Sequence, residues 1–147
     1  MKIFLLAAAV LSLPTVAHAE VTVTEPWSRA SILASRPGAA YLTLASDADD
    51  LLIKASSAVA DEVIIHAVET DGAGITRMKH AQALEIPAGQ AVAFEPGSMH
   101  LMLMGLHSKL VEGSSFPLTL VFESGQEITV EVPVLGPAAA APNEKQP

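Results

Sequence analysis

The chain has 147 residues, a net charge of −8 and no cysteine. That balance excludes nucleic acid and anionic membranes as partners, since both need a basic face. Without a thiol there is no disulfide framework, thiolate metal centre or cysteine nucleophile within these residues.

The first nineteen residues read as a secretory signal. Lys2 supplies the positive start, residues 3–13 form a short apolar run, and Ala17-His18-Ala19 is a small-x-small cleavage site. The run is too short to cross a bilayer as a helix, and no later stretch is apolar for long enough to insert. The expected product is a periplasmic, exported protein with one domain, residues 20–135, and no membrane insertion. Losing Lys2 with the leader would take the net charge from −8 to −9.

From residue 21 onward, short β-type runs alternate with turn clusters at the spacing of sandwich and barrel proteins. Strands are expected at residues 21–24, 39–45, 51–56, 62–68, 75–80, 91–95, 100–106, 117–123 and 127–134. The breaks between them are rich in Gly, Pro and Asp, as at Asp71-Gly72-Ala73-Gly74 and Pro96-Gly97. Glu123-Ser124-Gly125-Gln126 is expected to be a tight hairpin, because glycine permits the positive φ such turns need. Ile128-Thr129-Val130-Glu131-Val132 alternates strictly and should have one wet and one dry face. No segment keeps a helical period, so the fold class is all-β, an antiparallel β-sandwich. Residues 136–147, Ala/Pro-rich and then polar, read as a disordered tail.

The chemistry concentrates in one part of the chain. Beyond the start residue the methionines are Met78, Met99, Met102 and Met104, and beside them lie His66, His80, His100 and His107. In Met99-His100-Leu101-Met102-Leu103-Met104, alternation along a strand puts His100, Met102 and Met104 on one face and the rest on an apolar core face. A thioether is soft and neutral and among biological metals selects Cu(I); imidazole also suits copper. The ordinary role of a lone strand methionine is to fill core space, and Met99 and Met104 are assigned to it. A lone histidine is ordinarily a surface or hydrogen-bonded residue, and His107 is read that way. Spacing alone does not choose partners for the His100 strand.

The sequence resembles the periplasmic copper chaperones of the PCu(A)C type. Their motif is His (usually followed by Met), ten residues, Met, twenty-one residues, then His-x-Met. Here His66-Ala67 precedes residues 68–77 and Met78, and residues 79–99 lead to His100-Leu101-Met102. Leu84-Glu85-Ile86-Pro87-Ala88-Gly89, Ala40-Tyr41-Leu42-Thr43-Leu44 and Pro117-Leu118-Thr119-Leu120 also look like the family, and the similarity runs from about Trp27 to Val134. The resemblance implies a cupredoxin-like sandwich that holds one Cu(I) per chain with His66, Met78, His100 and Met102. It also implies delivery to a copper-accepting protein, the cytochrome c oxidase subunit carrying the dinuclear copper site, alongside Sco-type proteins. The expected protein is a monomer and not an enzyme. The family's Met after the first His is Ala67 here, which on a strand faces away from His66. His80 departs from the pattern and shares a face with Met78. The tail lacks the His and Met that give some relatives a second copper site.

Other readings have specific tests. An electron-transfer cupredoxin needs a Cys ligand. A copper oxygenase with an N-terminal His would need cleavage that exposes His18. No serine completes a triad with Asp61 and His66, and the acidic turn at Asp47, Asp49 and Asp50 is more simply solvated than a Ca²⁺ loop. Storage or scavenging of copper, and a sandwich that binds other proteins without metal, remain the alternatives.

Overall fold

A computed structural model describes residues 19–142. The leader lies outside the described residues apart from Ala19. Among the described residues there are ten strands and no helix: β1 (Val21–Arg29), β2 (Gly38–Ser46), β3 (Asp50–Ser56), β4 (Ala60–Thr70), β5 (Thr76–Ala81), β6 (Leu84–Ile86), β7 (Ala91–Phe94), β8 (His100–Leu106), β9 (Ser115–Phe122) and β10 (Glu127–Leu135).

The strands pair in the order β5-β4-β8-β2-β1-β10-β9-β3-β6, and a further β3–β4 pairing closes the ring into a barrel. Closure rests on Ala55 of β3 opposite Val63 of β4, and the short strands β5, β6 and β7 each pair on one side only, with β4, β3 and β2. The all-β sandwich or barrel is thus the observed fold. One pairing departs from a purely antiparallel sheet: β1 runs parallel to β10, with Ser28 opposite Val134 and Arg29 opposite Leu135. Parallel neighbours need a long connection, and here nearly the whole domain supplies it.

The core is aliphatic. Leu44, Leu52, Leu101, Leu103, Leu118 and Leu120 are fully buried, each worth about 1.5–3 kcal/mol relative to exposure. The alternation expected in residues 128–132 is present, with Val132 buried and Thr129 and Glu131 exposed. The expected hairpin is also present: Phe122 N donates to Gln126 O at 2.9 Å, with Gly125 at φ 90°.

The segment after β10, read from sequence as a disordered tail from residue 136, packs over its first part. Ala139 is 3% exposed against Trp27 and Tyr41, and its carbonyl accepts a 2.6 Å hydrogen bond from Arg29 Nε. A run of four alanines between Pro137 and Pro142 carries no alternating period, so this contact left no trace in the pattern. Residues 143–147 lie outside the described residues.

Candidate metal site

The orientation of β8 is set by its apolar face. Leu101 and Leu103 are fully buried while His100, Met102 and Met104 are half-buried on the other side. A slip of one residue would drive the imidazole and thioethers into the core and expose two leucines, so register is strongly specified. The strand starts from a tight turn. Gly97 adopts φ 79°, Ser98 N donates to Glu95 O, and Glu95 N donates to Met99 O at 2.9 Å. Met99 packs against the core as partly buried filler, as read from sequence.

β4 brings the other elements to β8. His66 lies directly opposite His100 on β8 and directly opposite His80 on β5. Directly opposed residues share a face, so three imidazoles form one row across three adjacent strands. The His66 and His100 rings touch edge to face, with centroids 5.0 Å apart and planes at 63°. Met78 sits opposite Val68 and Met102 opposite Ile64, each two positions along from His66. Both are therefore diagonal neighbours of His66, at about 7–8 Å, within reach of long side chains. His66 is the hub: an imidazole directly opposite on either side and a methionine diagonal to it at either end. All four residues singled out by the sequence lie on this one patch.

The patch is accessible. Every residue of β5 is exposed except Ala81, so the β4–β5 hairpin projects beyond the barrel, and Met78 is 47% exposed. The turn is stiffened by Asp71, whose Oδ1 accepts from Ala73 N and Ile75 N, both at 2.9 Å. On the opposite face of the ribbon Lys79 pairs with Glu69 at 3.3 Å. Ala67 lies opposite Lys79 on that face, so the missing family methionine would not have pointed at the patch.

Two features prepare the imidazoles for a metal. His100 Nδ1 lies 3.0 Å from Ser98 O; a carbonyl can only accept, so Nδ1 carries the proton and Nε2 presents its lone pair. His66 is held below its ordinary pKa, first by burial, which penalises the imidazolium, then by the neighbouring His100 and His80. His66 thus keeps a free lone pair at neutral pH. His107 is different: Nδ1 faces Ala58 O at 3.0 Å and Nε2 faces Asp61 Oδ1 at 2.9 Å, so both nitrogens are engaged and its surface reading stands. Met104 lies opposite Glu62, two positions beyond Met102 and away from the histidine row. Among the acidic turn residues, Asp49 and Asp50 are engaged by backbone N–H groups, a structural use rather than a cation loop.

Among the described residues, no three His, Asp or Glu side chains converge to hold a metal ion. With the side chains as placed, a metal on this patch draws on the thioethers as well. That donor set is soft and uncharged, which fits Cu(I) and suits Zn²⁺, Mg²⁺ and Ca²⁺ poorly.

Residues 21–134 match the family described as "Putative lipoprotein LpqE-like". The chain belongs to the LpqE-like family. A protein of Leifsonia xyli subsp. xyli named "Putative lipoprotein Lxx21020" is 33% identical over 95 residues, 65% of this chain and 57% of that protein. This LpqE-like chain thus matches little more than half the length of that curated relative. Among solved structures, the copper-bound PCuAC domain from PmoF2 is similar with a TM-score of 0.66 and 26% identity, over 80% of this chain and 93% of that one. The solution structure of CuI-DR1885 from Deinococcus radiodurans is similar with a TM-score of 0.57 and 31% identity, over 86% and 81% of the two chains. The LpqE-like chain has the PCuAC fold.

Proposed function

We propose that this protein is a copper chaperone of the periplasm that holds one Cu(I) with His66, Met78, His100 and Met102 and passes it on. The observation that carries this reading is the placement of His66, which is opposed by His100 and diagonal to both methionines on an exposed ribbon. The copper named in the two solved relatives supports it.

The donors explain both capture and release. Four neutral ligands stabilise a +1 ion over a +2 ion, and thioethers do not oxidise to disulfides in an exported compartment. The half-exposed Met78 gives an acceptor's ligands a side from which to enter while the donor's leave. No nucleophile or charged general base stands on the patch, so the protein is read as a carrier and not an enzyme. The recipient proposed is the dinuclear copper site of cytochrome c oxidase, with Sco-type proteins acting alongside. Location in the periplasm rests on the signal-like first nineteen residues, and membership of a family described as lipoproteins is consistent with export.

The test mixes Cu(I)-loaded protein with an apo oxidase copper domain and follows the metal. Movement of copper to an acceptor of greater affinity is expected. Copper that stays on the donor would favour storage or scavenging.

A further inference from the structure

We propose that His80 is a third imidazole ligand, joining His66 and His100 to hold Cu(II) on the same patch that takes Cu(I) through its thioethers. This deepens the copper reading and rests on it for the identity of the metal.

His80 is the direct cross-strand partner of His66, which is the direct partner of His100. Directly opposed residues on antiparallel strands stand about 4.5–5.5 Å apart, so each outer imidazole can lean over the central one. The electrostatic influence of both outer rings on His66 is consistent with this closeness. The three rings do not meet at one point as placed, so capture requires His80 to turn inward. His80 is exposed, and among the described residues no hydrogen bond holds its ring in place. His107 shows the contrast, with both nitrogens occupied.

Chemistry assigns the ion. Replacing two thioethers by a third imidazole makes the donor set harder, and nitrogen ligation suits Cu(II) as thioether ligation suits Cu(I). Zn²⁺ also accepts three imidazoles, but Cu(II) binds a given nitrogen site more tightly than Zn²⁺. His66 and His100 are common to both arrangements. His80 serves the oxidised ion, and Met78 and Met102 serve the reduced one. The patch would accept copper in either state as the compartment offers it.

The test titrates the protein separately with Cu(II) and, under anaerobic conditions, with Cu(I). It compares wild type, His80→Ala and the double variant Met78→Leu/Met102→Leu. Electron paramagnetic resonance counts nitrogens on Cu(II), and thermal melts check folding of variants at these accessible positions. His80→Ala should weaken Cu(II) binding at least about tenfold and remove one nitrogen from the spectrum, with Cu(I) affinity changed by less than about twofold. The double methionine variant should show the reverse. The proposal is overturned if His80→Ala leaves Cu(II) affinity and nitrogen count unchanged, if it weakens Cu(I) as much as Cu(II), or if wild type takes up no Cu(II). Failure of wild type to bind Cu(I), with His80-dependent Cu(II) binding intact, would sink the Cu(I) chaperone reading and leave this one supported.

Discussion

Four methionines close in sequence occupy four different environments, and substituting each by leucine separates affinity from stability. Met78 is 47% exposed. A fully buried Met-to-Leu swap costs less than about 1.5 kcal/mol, so at this half-exposed position the apo protein should lose less than about 0.7 kcal/mol. Its Cu(I) affinity should nevertheless fall at least about tenfold, or about 1.4 kcal/mol, through loss of the sulfur. Met102 is half-buried opposite Ile64 and should behave like Met78. Met104 lies four residues along the strand from His100, about 13 Å at strand rise, so Met104→Leu should leave Cu(I) affinity within about twofold. Met99 packs on the core, so Met99→Leu should alter stability and not affinity. Chelator competition reads affinity, and thermal melts of the apo forms read stability. If Met104→Leu damaged binding as much as Met102→Leu, the geometry assigned to the patch would be wrong.

Proton competition should weaken Cu(I) binding on acidification. His66 is neutral to a lower pH than the ordinary 6.5 because its charged form is disfavoured, so its share of the loss begins only below that value; a flat profile from about pH 7 to 5 would exclude histidine ligands. Gly105 adopts φ 63°, and a Cβ there would strike the Asp61 side chain, so Gly105→Ala should cost about 2–3 kcal/mol from backbone strain and displaced Asp61. Gly125→Ala, at φ 90° with nothing nearby, should cost less in the same thermal melts; equal losses would refute the clash. Burial pushes the Asp50 carboxyl up, but hydrogen bonds from the Ser124 side chain, Leu51 N and Ser124 N outweigh it and hold the group below 3.8. That stability is present above 3.8 and is lost as pH falls through the lower folded value. Ser124→Ala should therefore destabilise by about 1 kcal/mol at pH 7 and by less in strong acid, as urea melts at the two pH values would show.

Local patterns carried much of the fold. The β8 strand was legible to the residue, 100–106, because strict alternation leaves one consistent face assignment. β1 runs to Arg29 rather than stopping at residue 24, since Glu25 at φ 51° and Pro26 interrupt its pattern, while pairing with β2 resumes at Trp27. β6 has only three residues, too few to show a period. Partner choice between strands was not legible, because it is decided by packing of residues far apart in sequence. For that reason the sequence placed His80 on the face of Met78 but gave it no partner, whereas register sets it against His66. The four candidate ligands came from a spacing motif, and their common patch from the β5–β4–β8 pairing.

The proposed site gathers imidazole and thioether donors around His66 to hold one Cu(I). Copper-edge X-ray absorption on protein loaded with one equivalent of Cu(I) tests it most directly. Two nitrogen and two sulfur scatterers are expected, with one sulfur lost in Met78→Leu and one in Met102→Leu. A spectrum of nitrogen and oxygen alone, unchanged by either substitution, would contradict it.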